Sequence, residues 1–317
     1  MKKRIISVLL ATVFALSVIG CGTKDTKEQD AYRQYGITCM ESGKYEDAVK
    51  AFQNALGESI GHIGEKELDI CFYKAKAQAL DGKTKDALAT YNAIIKYNKD
   101  ARAYYLRGDL YMDMGEEKKG RADFESAVQQ GKKNYEIYIG IYESLSRHEK
   151  KDEGQKYLSA AMEIKGDKPE DELYKGRISY LLGENKDAIS YLEKAKEHKQ
   201  MLASYYLGLA YDANGDSDKA KKCIAEYIKS GVATSYDLYE VGMQVMQDGN
   251  YKNALTYFNS GLELEKVPNK QNLMKSAIAA YEYSGDFDSA KKMMKEYLKA
   301  YPDDEEAKHE NTFLETR

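Results

Sequence analysis

Gly82-Lys83-Thr84 has the residue types of a phosphate-cradling turn. That chemistry also needs a glycine five residues earlier, where Ala77 stands, and a strand before the loop, where the pattern is helical. The segment DANGDSD at 212–218 offers the oxygens of a calcium loop. A loop that starts at Asp212 would place Gly at 217 and Glu at 223, and the chain has Ser217 and Cys223. His62, His148, His198 and His309 are scattered, with no HExxH and no paired ligand spacing. There is no GxSxG nucleophile turn, and no pair of carboxylates is singled out by position. The sequence therefore predicts no catalytic residue, no cofactor site and no metal site, and it does not read as an enzyme.

One residue with covalent chemistry does stand out. Lys2, Lys3 and Arg4 precede an uncharged apolar run from Ile5 to Gly20, and Cys21 follows at once. Sixteen apolar residues are short for a membrane span and suit a secretory h-region. Val18-Ile19-Gly20-Cys21 resembles a bacterial lipobox. The resemblance implies cleavage before Cys21 and a diacylglycerol on its sulfur, and two acyl chains anchor stably where one is marginal. Residues 1–20 are thus read as a lipoprotein signal peptide and 21–28 as a lipidated linker. The expected location is the extracytoplasmic face of the cell membrane, lipid-anchored, with an outer-membrane destination left open.

The elements that position everything else repeat. Gly, four residues, then Ala or Gly occurs as Gly43/Ala48, Gly82/Ala87, Gly115/Gly120, Gly183/Ala188, Gly215/Ala220, Gly249/Ala254 and Gly285/Ala290. An eighth copy keeps Gly154 but has Glu149 in place of the first glycine. The second residues of these pairs lie 39, 33, 34, 34, 32, 34 and 36 apart, the period of a helical solenoid. Each period holds two amphipathic segments, helix A before the first glycine and helix B after it. The first glycine ends helix A at positive φ. A further glycine seven residues earlier, at Gly36, Gly108, Gly176, Gly208 and Gly242, lies mid-helix, where it costs about 0.5–1 kcal/mol against Ala. Its recurrence predicts a close crossing with the small residue of helix B. The 39-residue spacing includes a longer corner, GESIGHIGE at 57–65.

With Tyr104, Gly108, Tyr111, Gly115, Gly120, Phe124 and Ala127 in repeat three, and Tyr251, Ala254 and Phe258 in repeat seven, the chain resembles the tetratricopeptide repeat family. The resemblance implies an all-α, right-handed superhelical solenoid of about eight helix-turn-helix units over 29–302, closed by a capping helix or tail at 303–317. It also implies a protein or peptide partner in the concave groove. If the second small residue is position 20, positions two, five, nine, twelve and thirteen of helix A line that groove. They include Arg102, Tyr105 and Asp109 in repeat three, Tyr205 and Leu209 in repeat six, and Tyr236, Tyr239, Met243 and Met246 in repeat seven. The apolar content of repeats six and seven marks them as the expected binding surface.

Composition agrees with a folded helical array. The chain has 317 residues, 43% hydrophobic and 32% charged, and only three prolines to interrupt helices. Loss of Lys2, Lys3 and Arg4 takes the formal net charge from −4 to −7, which argues against a nucleic-acid ligand. Two other readings stay open: an envelope enzyme, for instance a glycan-handling one, with carboxylates assembled from distant repeats, or a permanent subunit of an envelope assembly machine. Cys39, Cys71 and Cys223 show no disulfide or zinc spacing.

Overall fold

The computed structural model describes residues 27–59, 63–166, 168–247 and 249–317, and among them every regular element is an α-helix. Cys21, the linker to residue 26 and Ile60 to His62 of the long corner lie outside the described residues. The chain forms two compact units. The first carries six helical hairpins: α1 (Lys27–Glu41) with α2 (Tyr45–Gly57), α3 (Glu65–Leu80) with α4 (Thr84–Asn98), and α5 (Ala101–Asp113) with α6 (Glu117–Gln130). Then follow α7 (Tyr135–Arg147) with α8 (Lys151–Met162), α9 (Pro169–Leu182) with α10 (Asn185–Glu197), and α11 (Leu202–Ala213) with α12 (Ser217–Lys229). The second unit carries α13 (Ser235–Gln247) with α14 (Tyr251–Leu262), α15 (Lys270–Tyr283) with α16 (Phe287–Ala300), and α17 (Glu305–Leu314). This is an α-solenoid of paired helices.

The turns follow the sequence pattern. Gly43, Gly82, Gly115, Gly183, Gly215, Gly249 and Gly285 all have φ between 70° and 86°. At Gly115 the amide donates to the Met112 carbonyl and the next amide, that of Glu116, to Tyr111, which satisfies the last carbonyls of α5. Repeat four makes the same turn without a glycine. Glu149 takes φ 62°, and the Lys150 amide donates to Leu145 at 2.8 Å. Gly82-Lys83-Thr84 and 212–218 are turns of this kind.

The mid-helix glycines sit at close crossings with helix B: a Cβ built on Gly108 would lie 3.0 Å from the Gly120 carbonyl oxygen, and one on Gly208 3.4 Å from that of Ala220. A Cβ built on Gly36 would lie 2.6 Å from Phe52, on Gly108 2.9 Å from Phe124, and on Gly242 2.3 Å from Phe258. The helix B residue that fills the gap is therefore position 24, a large side chain. The small residue at position 20 lies against the same stretch of helix A: a Cβ on Gly120 would lie 2.7 Å from Met112 Sδ and 3.0 Å from the Gly108 carbonyl oxygen. Repeat four reverses the arrangement. Tyr142 replaces the helix A glycine, and Gly154 supplies the room for its ring.

Short polar caps set the helix starts. Asp100 accepts the amides of Arg102 and Ala103, Asn134 that of Glu136, and Asp304 that of Ala307. Around the long corner, Glu67 accepts from Gln29 at 2.9 Å, Ser59 at 3.0 Å and the Gly64 amide at 2.8 Å. One carboxylate thus ties α1, the end of α2 and the start of α3 together. Burial raises the Glu67 pKa, but these hydrogen bonds outweigh it and hold the carboxyl below its ordinary value.

Candidate functional site

The helix A row supplies every groove position, so the site is built from those side chains upward. In the first unit several of its charged members pair from one repeat to the next. Arg33 reaches Asp69 at 2.6 Å, Arg147 is ion-paired with Asp109, and Arg177 reaches Glu143 at 3.1 Å and Glu136 at 3.2 Å. These pairs lock α1 to α3, α5 to α7 and α7 to α9. Burial pushes the Asp109 and Glu143 carboxyls up, and the facing arginines pull against that shift. Asp109, offered by the sequence as a ligand contact, is thus held by a neighbouring repeat.

Tyr105 is committed in a similar way. A Cβ on Gly140 would lie 2.6 Å from the Tyr105 ring, so α7 receives the phenol against its bare backbone. Burial raises the Tyr105 hydroxyl pKa well above its usual value. Arg102 differs: its guanidinium stands 3.6 Å over the centre of the Phe72 ring. Tyr205 and Leu209 are 5% and 7% exposed, and Tyr205 packs on the rings of Tyr206 and Tyr227. The expectation that these two line an open apolar groove is corrected by that burial. Composition reports an apolar residue at a groove position, but not that packing covers it.

In the second unit Tyr236, Tyr239, Met243 and Met246 are half-buried along α13. Tyr239 lies 6.2 Å from Phe258, ring centre to ring centre, and the Ser276 hydroxyl approaches Met243 Sδ at 3.4 Å. The helix A row continues on α15 with Lys275, which reaches Asp304 at 2.8 Å. Tyr297 also donates to Asp304 at 2.5 Å. Hydrogen bonds from Lys275, Tyr297 and the Ala307 amide hold the Asp304 carboxyl far below its usual range. The capping helix α17 is clasped to the last hairpin by this group.

Possible chemistry was sought among the same residues. His148 Nε2 lies 3.1 Å from Asp113, and with Asp109 these groups place one ligand atom each within 4.8 Å of one another. The sequence spacing did not reveal this cluster, because His148 caps α7 while the aspartates lie on α5. Arg147 already occupies Asp109, so the group acts as an interlock between repeats three and four. Glu282 and Glu310 face each other, and burial first, then the Glu310 charge, raises the Glu282 carboxyl. Neither lines the open concavities at 129–134 or around Ser179 and Asp187. Cys39, Cys71 and Cys223 are free thiols, and burial pushes Cys71 and Cys223 up, away from reactivity. Among the described residues no helix is long and apolar enough to cross a membrane.

The inter-repeat ion pairs escaped sequence reasoning, yet they left a signal. Arg33 and Asp69 are 36 residues apart, Asp109 and Arg147 38, and Glu143 and Arg177 34. Opposite charges about one period apart mark such pairs.

Two family models, both described as tetratricopeptide repeat, match the chain, one at residues 36–95 and 74–135 and the other at 202–230 and 271–304. No curated protein matches the sequence. Solved structures similar to it include a tetratricopeptide repeat protein from Parabacteroides merdae, 12% identical, with 80% of this chain and 99% of that chain covered at a TM-score of 0.46. The APC/C hetero-tetramer Cut9-Hcn1 is 15% identical over 90% of this chain and 55% of that chain, at 0.45. PilW, a type IV pilus biogenesis factor, is 17% identical over 66% of this chain and 97% of that chain, at 0.43.

Proposed function

This chain belongs to the tetratricopeptide repeat family, and from that premise we propose that it is a lipid-anchored interaction scaffold of a bacterial cell envelope. Its helix A row receives a peptide or helix of a protein partner. The observation that carries the reading is the contrast along that row. In repeats three to five Asp109, Glu136, Glu143, Arg147 and Arg177 are ion-paired between neighbouring repeats, whereas α13 presents a half-buried strip of Tyr236, Tyr239, Met243 and Met246. Tyr offers contact area at low entropic cost, and Met adapts to irregular apolar surfaces. Cys21 and its preceding segment support the anchor. Photo-crosslinking from α13 in intact cells tests the scaffold: a partner protein joined at Met243 is expected, and its absence contradicts the reading. The anchor has its own test. Cys21→Ala should move the chain out of the detergent phase, and unchanged partitioning would rule out lipidation.

A further inference from the structure

In the later repeats helix A packs backward on helix B of the repeat before it. Ala103 and Leu106 on α5 cluster with Tyr91 and Ile94 on α4, and Ala203 and Leu207 on α11 cluster with Leu192 and Ala195 on α10. The repeat register puts Ala31, Gln34 and Tyr35 of α1 at the same positions. No helix among the described residues precedes α1, and all three are exposed. Thr38, one turn on, and Tyr32, one turn before Tyr35, are exposed as well. Tyr35 is 57% and Tyr32 37% exposed, and none of the five side chains is charged. The last hairpin is different, because α17 is clasped to it through Asp304. Repeat arrays need end units with a polar outer face. The open face of α1 is neutral and carries two tyrosines instead.

We propose that this face of α1 rests on the lipid bilayer at headgroup depth, with Tyr32 and Tyr35 in the interface. The inference rests on the lipid anchor at Cys21 and turns a tether into a docked end. Five residues, Gly22 to Thr26, separate Cys21 from Lys27, where α1 begins. Fully extended, that stretch reaches about 20 Å, close to the length of the 15-residue helix that follows it. The anchor thus keeps the face within reach of the lipid surface. Tyrosine suits that depth, since its ring is apolar and its hydroxyl stays wet. The exposed charges on α1 and α2 include Lys27, Glu28, Asp47 and Lys50, which are of both signs. They form no basic patch, so docking does not require an anionic headgroup.

The chain has no tryptophan, so Tyr35→Trp provides a lone fluorescent reporter, with Tyr32→Trp as a second. Both positions are exposed, and the substitutions leave the packing of α1 on α2 intact. The lipid-modified full chain is reconstituted in phosphatidylcholine vesicles whose acyl chains carry bromine just below the headgroup. Both reporters should be quenched at least about twofold relative to plain vesicles, because the interface lies at that depth. Met201→Trp, exposed in repeat six of the same unit, should keep its emission. Unquenched reporters on a chain that floats with the vesicles would overturn the docking and leave the anchor standing. A chain that does not float fails the anchor reading, and the docking falls with it. Equal quenching at Met201→Trp would mean that the unit lies along the lipid without preference for α1. Reporters shielded from water but not quenched would mean that a second copy or the 22–26 segment covers the face. Either result overturns the proposal.

Discussion

At Gly242 a single side-chain carbon decides whether the hairpin of α13 and α14 closes. Phe258 is fully buried and would stand 2.3 Å from a Cβ there, so Gly242→Leu forces a branched side chain into an occupied space. Overpacking of this kind typically costs about 1–3 kcal/mol, to be read from denaturant unfolding. A variant as stable as the parent would mean that the crossing opens freely. Glu149 is the converse case. It holds φ 62° where seven other repeats place glycine. Glu149→Gly should raise stability by up to about 1 kcal/mol, since a left-handed backbone is strained for any residue with a Cβ. Both positions were legible in the sequence because a missing side chain answers a backbone or close-packing demand that recurs in most periods. The ring at position 24 was less legible. The sequence shows that helix A has a gap, but not which helix B side chain fills it.

At the scale of elements, the Glu67 carboxylate ties α1 and Ser59, just beyond α2, to the start of α3. Glu67 has a folded-state pKa below its unfolded one, so its contribution is complete above the ordinary value of about 4.3. That contribution is lost as pH falls through the lowered value. Glu67→Gln should therefore lower the melting temperature most at neutral pH, and the gap to the parent should narrow as the pH falls below the ordinary carboxyl value. A gap independent of pH would mean that the Gln29, Ser59 and Gly64 contacts do not depend on the carboxylate charge. Helices and turns were readable because amphipathic period and glycine position are local properties. The ties between helices were not. Arg33–Asp69 and Arg177–Glu143 join neighbouring repeats, and the partners are visible only when the chain is aligned on its own period.

For the whole molecule, the repeat count and the helical class followed from the spacing of small residues, while the burial of individual groove positions did not. Tyr205 and Leu209 occupy groove positions and are buried. The central claim is that helix A, rather than helix B, receives a partner. Site-specific photo-crosslinking tests it most directly, with the reactive residue at Tyr239 or Met243 on α13 and, as the control, at exposed Lys252 on α14. The inner positions should join one defined protein in intact cells, with melting temperatures close to the parent, and Lys252 should not. Adducts from Lys252 alone, or from none of the three, would contradict the account.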